Sequence, residues 1–135
     1  MADRAWRPIG VPMCSAWSMA DTLRGFVGRT LRLIDRRSGA AVVPYVYLPG
    51  QTVLSPGQSA LGAAVELPGG PDFVLRGVAS GPLQVDLDVE SRAGGVWRMT
   101  LHFTVDAHLW DFAEDPGWCG GADRRRDDWL RRVFS

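Results

Sequence analysis

The chain contains no lysine and no asparagine. Its 15 basic side chains are all arginine, and 15 acids balance them to a formal net charge of zero at pH 7. A neutral chain lacks the global field that draws proteins to nucleic acid or anionic lipid. There are only two cysteines, Cys14 and Cys119, which is too few for a disulfide scaffold. They lie in the flanking segments without close Cys-x-x-Cys spacing, so they read as two separate thiols and not as a zinc site. A single bridge tying the two ends together is the alternative. No apolar run approaches the roughly 20 residues that span a bilayer, and no apolar stretch follows the first charges as in a secretion signal. The expectation is a chain outside membranes, in the cytoplasm or within an assembled particle. The glycine-rich run Leu67-Pro68-Gly69-Gly70-Pro71 has no lysine to complete a phosphate loop and reads as a tight turn. No Gly-x-Ser-x-Gly elbow is present.

What the chain does contain is apolar residues, 46% of 135, enough for one domain with a real core. Residues 1–16 read as an N-terminal arm. Pro8 and Pro12 argue against a regular helix there, while Trp6, Ile9 and Met13 give the arm something to bury. Residues 17–135 read as a single β domain. Within it, residues 18–27 suggest a short helix capped by Ser18, with Leu23, Phe26 and Val27 on one face.

From Thr30 onward the pattern is β. Residues 30–35 form one candidate strand, and residues 42–48 its return, with Pro44 inside demoting that strand to an edge or marking a bulge. Short candidates follow at 53–54, 61–67 and 73–78. The strongest pattern is a hairpin. Leu83, Val85, Leu87 and Val89 alternate with Gln84, Asp86, Asp88 and Glu90, and Trp97, Met99, Leu101, Phe103 and Val105 alternate with Arg98, Thr100, His102, Thr104 and Asp106. Pairing Val89 with Trp97, Leu87 with Met99 and Val85 with Leu101 gathers the large apolar side chains on one face and sets Asp88 opposite Arg98. Six or seven strands separated by Gly/Pro turns predict a mainly β, antiparallel β-sandwich, with a small closed or partly open barrel as the alternative. A terminal helix is expected at about 123–134. Asp127 and Asp128 there face Arg131 and Arg132, and Trp129, Leu130, Val133 and Phe134 form an apolar stripe.

The polar set that draws attention is His102, Asp106 and His108. On one unbroken strand all three share a face, and two imidazoles with a carboxylate are suitable metal ligands. Same-face neighbours on a strand are roughly 7 Å apart, however, too spread to converge on one ion. A solvated strand face is therefore the reading taken, with no cofactor and no catalytic residues assigned. Residues 124–126, 131 and 132 concentrate arginine, but Asp123, Asp127 and Asp128 interleave with it. That makes nucleic-acid binding the weakest of the functional readings.

Five of the six tryptophans lie in or near the flanking segments. Tryptophan is a frequent anchor of protein interfaces. The sequence thus suggests a non-enzymatic structural or assembly protein, forming homo-oligomers or binding other proteins, such as a small component of a virus particle or phage tail. Its contacts would be Trp6, Ile9, Met13 and Trp17 at one end and Trp129, Leu130, Val133 and Phe134 at the other. The alternative is a barrel that binds a small ligand or a metal through His102, Asp106 and His108, with Tyr45, Tyr47, Trp97 and Trp110 able to line its pocket.

Overall fold

A computed structural model describes residues 6–50, 64–107 and 109–115. The expected helix at 123–134, the candidate strand at 53–54, and His108 and Cys119 lie outside the described residues.

The chain enters through β1 (Arg7–Ile9) and then α1 (Ala16–Arg24). The strands that follow are β2 (Thr30–Asp35), β3 (Ala41–Val42), β4 (Tyr45–Val46), β5 (Val65–Glu66), β6 (Phe73–Ser80), β7 (Gln84–Ser91) and β8 (Val96–His102). A single helical turn, α2 (Phe103–Asp106), leads to β9 (Trp110–Glu114). The protein is mainly β, with two antiparallel sheets and a short helix, as the sandwich reading requires. The large sheet runs β1-β9-β2-β6-β7-β8, with β3 paired to β2, and the small sheet is β4-β5. Tyr47 and Arg98 exchange both backbone hydrogen bonds, at 3.0 and 2.7 Å, so β4 is tied to the outer edge of β8.

The β7–β8 register is the one expected from alternation. Val85 lies opposite Leu101, Leu87 opposite Met99, Val89 opposite Trp97 and Asp88 opposite Arg98. Val85, Leu87 and Val89 are fully buried, and burying side chains of this size contributes about 1.5–3 kcal/mol each. The core they form continues through Leu31, Leu33, Phe73, Leu75 and Phe112. The reverse face carries ion pairs. Arg98 Nε reaches Asp88 at 3.0 Å, and Arg76 Nε reaches Glu90 at 2.7 Å.

Three local expectations are corrected. The helix starts earlier than its sequence signal suggested: Ser15, not Ser18, is the N-cap, and its hydroxyl accepts from the Ser18 N–H at 3.0 Å. The docked face is then Ala16, Met19, Ala20 and Leu23, spaced i, i+3, i+4 and i+7, while Val27 is left exposed. Secondly, the strand expected over 42–48 is two short strands. Pro44 has no N–H for a ladder, and its buried carbonyl instead accepts from Leu67 N at 2.9 Å. Of the expected arm, residues 6–16 are described, and they lie against the protein's own sheet and core. Arg7–Ile9 pair with β9, placing Ile9 opposite Phe112, and Pro8 sits on that edge strand where a missing donor is tolerated.

The third correction bears on function. The last hairpin strand ends at His102, not beyond Asp106. The Asp106 carboxylate accepts the backbone N–H of His102 at 2.7 Å, which closes a turn of helix where the alternation would have continued. Val105 is consequently exposed and Phe103 only partly buried against the core. Beyond the turn the chain starts β9, which pairs with β2 and β1.

Two glycines side by side test the tight turn before β6. Gly69 and Gly70 both have φ near +90 to +100°, at 88° and 101°. A Cβ on Gly69 would lie 2.6 Å from the Ala93 backbone nitrogen, whereas one on Gly70 would meet nothing within 4 Å. Gly70→Ala should cost about 1 kcal/mol, the left-handed penalty alone. Gly69→Ala should cost clearly more, because backbone must also move. Urea unfolding of the two variants checks the order, and equal losses would refute it.

Candidate functional site

The residues expected to make contacts are distributed unevenly. Ile9 and Met13 pack as partly buried side chains against the protein's own core. Trp6 is half-buried beneath the Arg32 guanidinium, 3.7 Å from its ring centroid. Arg32 in turn holds Asp72 at 2.7 Å, and Arg92 reaches the same carboxylate at 3.5 Å. Trp17 differs from these three. It projects from α1 with 57% of its surface exposed, while Ala16, Met19, Ala20 and Leu23 of the same helix are buried. Cys14, just before the helix, is also exposed. Trp129, Leu130, Val133 and Phe134 lie outside the described residues.

His102 and Asp106 are brought together, but through the backbone of one and the carboxylate of the other. Both also line a small cavity of about 10 Å³ with Met13, Met19 and Trp110, room for a single water. Among the described residues no group of three or more His, Cys, Asp and Glu side chains is placed to hold a metal ion.

Beside that cavity lies a larger cleft of about 280 Å³. Leu33, Val42, Val43 and Pro44 form one wall, and Met99 and Leu101 another. Tyr45 and Trp110 add aromatic surface, and Thr100 and Asp106 are its polar members. Two of the residues considered for a pocket, Tyr45 and Trp110, therefore meet here. Trp97 packs partly buried against the core. The cleft opens because the β4–β8 ladder stops after one rung. Continuing from the Tyr47–Arg98 pair, the next rung would join Tyr45 to Thr100. Among the described residues no backbone hydrogen bond does so. Sequence reasoning placed the interruption at Pro44 but had no signal for which strand would lie across the gap.

Tyr47 belongs to a polar chain on the outer face. Its hydroxyl bonds to Thr100 Oγ1, and Thr100 Oγ1 donates to Asp86 Oδ1 at 2.6 Å. Because the Thr100 proton is committed to the carboxylate, Tyr47 is the donor in the first link. Gln84 Nε2 approaches the two Asp86 oxygens at 3.3 and 3.4 Å. Burial pushes the Tyr47 phenol above its ordinary value of 10.0, and the nearby Asp86 and Asp88 charges push the same way. The Thr100 hydrogen bond and the Arg98 charge act in the opposite direction without cancelling the rise. Arg98 is raised above its ordinary value, chiefly by its hydrogen bond to Asp88.

Comparison with family models, with curated proteins and with solved structures finds no match. The functional reading therefore rests on geometry. Among the described residues no helix is long and apolar enough to cross a membrane.

A raised phenol binds its proton more tightly in the folded state than in the unfolded chain. The stability this gives is fully present below pH 10 and is lost as pH rises through the folded value. Tyr47→Phe should remove that alkaline loss, while costing about 1 kcal/mol at neutral pH through the lost hydrogen bond. Urea midpoints between about pH 8 and 11 read both effects. A variant that loses stability with pH as steeply as the parent would refute the assignment.

Proposed function

We propose that the protein is a non-enzymatic structural or assembly protein that works by protein–protein contact. The observation that carries this reading is Trp17. A helix docked on the core by four buried side chains presents a largely exposed indole on its outer side. Tryptophan offers large apolar area at low entropic cost, and such residues dominate binding energy where they meet a partner. Five of the acids are engaged in structure: Asp72, Asp88, Glu90, Asp111 and Glu114 each hold an arginine.

In this proposal the N-terminal residues Trp6, Ile9 and Met13 brace α1 and the sheet, and Trp17 makes the outward contact. The apolar stripe of Trp129, Leu130, Val133 and Phe134 is a second proposed contact, from the sequence pattern. A virus particle or phage tail is the proposed setting. It fits the layout of a small β core flanked by aromatic segments.

Light scattering of the full-length chain over a concentration series tests the proposal. The expected outcome is a defined oligomer whose dissociation constant rises at least about tenfold in Trp17→Ala, the scale of a hot-spot truncation. Monomeric mass at every concentration would remove self-assembly. An oligomer indifferent to Trp17 would move the contact elsewhere.

A further inference from the structure

The cleft beside β8 carries an inference independent of Trp17. Its walls are almost wholly apolar, and Asp106 is the charged residue among those that line it. Arginine neutralises Asp72, Asp88, Glu90, Asp111 and Glu114, but among the described residues none pairs with Asp106. One of its oxygens, Oδ2, is occupied by the His102 N–H. Among the described residues the other has no hydrogen-bond partner, and Asp106 is one of the residues lining the cleft.

A second acceptor comes from the backbone. Arg98 turns its N–H and C=O outward to Tyr47. In an antiparallel strand residues two apart turn their polar groups to the same side, so those of Thr100 also face outward, where the cleft lies. Tyr45 and Trp110 supply the aromatic surface, which attracts cations through the negative face of the ring.

From these features we infer that the cleft binds a small organic ammonium ion carried on an apolar stem. The Asp106 carboxylate and the Thr100 carbonyl accept from the ammonium group, and the stem lies against Val43, Leu101 and Trp110. At about 280 Å³ the space is at the lower edge of small-molecule sites, which run from roughly 300 Å³ upward. It therefore suits one aromatic or branched aliphatic amine and not a strand or helix. A carboxylate ligand would meet an unneutralised acid in an apolar wall and is disfavoured.

The test uses three probes of similar shape on the full-length, isotope-labelled protein: phenethylamine, 2-phenylethanol and 3-phenylpropanoate. Phenethylamine should give saturable NMR shifts centred on the Thr100, Leu101 and Asp106 amides and the Trp110 indole. The alcohol should bind at least about tenfold more weakly, as expected on losing a hydrogen bond to a charged group, and the carboxylate not at all. Asp106→Asn keeps an oxygen for the His102 N–H and should weaken phenethylamine by a similar factor, with an unchanged circular dichroism spectrum. Equal binding of amine and carboxylate would overturn the inference, as would shifts scattered away from the cleft or no saturation. Undiminished binding by a folded Asp106→Asn would do the same. Tighter binding of Nα-acetyl-argininamide than of phenethylamine would overturn the free amine as ligand and assign the cleft to a partner's arginine. The comparison of probes on the unaltered chain stands even where the variant fails to fold.

Discussion

Asp88 faces Arg98 on one side of the β7–β8 pair, and Leu87 faces Met99 on the other. A slip of one residue would exchange the two sides, putting carboxylates into the core and leucines into water. Most of the structure depends on that register. β6 takes its place from β7, setting Leu75 opposite Val89, and absorbs an irregularity between Leu75 and Gly77 before Val78 meets Leu87. Gly77 passes close to the Asp88 side chain, where a Cβ would stand 3.3 Å from the carboxylate. The Asp88–Arg98 pair is therefore flanked by a residue with no side chain to disturb it. α1 then docks over β6 and β7, and the chain leaving it is stitched to β6 by Gly28 N to Leu75 O at 2.7 Å and Leu75 N to Arg29 O at 3.0 Å.

The hairpin was legible in the sequence because its information is local. Ten alternating positions and a Ser-Arg-Ala-Gly-Gly turn specify the pairing without reference to anything distant. The β2 strand was legible for the same reason, and its limits are those the pattern implied. Asp106 shows where this kind of reading stops. Alternation ran on through Phe103 and Val105, and no residue type announced a break. What ended the strand was one carboxylate returning to a backbone N–H four residues earlier. That choice competes with strand continuation at a cost of about 1 kcal/mol either way, and tertiary context decides it. In the folded chain the decision is reinforced by Ala107, which is buried just after the turn, and by β9, which must double back to reach β2.

The candidate site was less legible than the fold, for a physical reason. The cleft exists between elements that are far apart in sequence, and its shape comes from a ladder that forms one rung and then parts. Pro44 signals that β3 and β4 cannot be one continuous strand. It does not signal that Tyr47 will find Arg98 across the molecule. The exposed Trp17 was named from the sequence as a contact, but so were Ile9 and Met13, which turn inward. The three differ only in which side of the chain meets the core. For Ile9 the pairing of β1 with β9 decides it; for Trp17 it depends on where α1 begins, and the N-cap lies three residues before the serine the sequence favoured, so that Ala16 and Met19 are both buried.

The absence of lysine takes on meaning in the folded protein. Arginine has a planar fork that can serve a carboxylate and an aromatic face at once, and Arg32 does both, lying over Trp6 while holding Asp72. The same logic joins Arg29 to Glu114, a carboxylate that is 8% exposed. A buried acid without such a partner costs several kcal/mol, so these arginines are a condition for the acids being in the fold at all. They also tie the sheet across its strands, from β2 to the start of β6 through Asp72 and from the entry of β2 to β9 through Glu114. Asp106 stands outside this scheme. It lies in a partly buried, apolar setting, and a single backbone N–H is its partner. Asp86 also lacks an arginine but is held by Thr100 and Gln84, whereas Asp106 lines a cleft with aromatic surface. On the inference drawn for the cleft, its counter-charge arrives with the ligand.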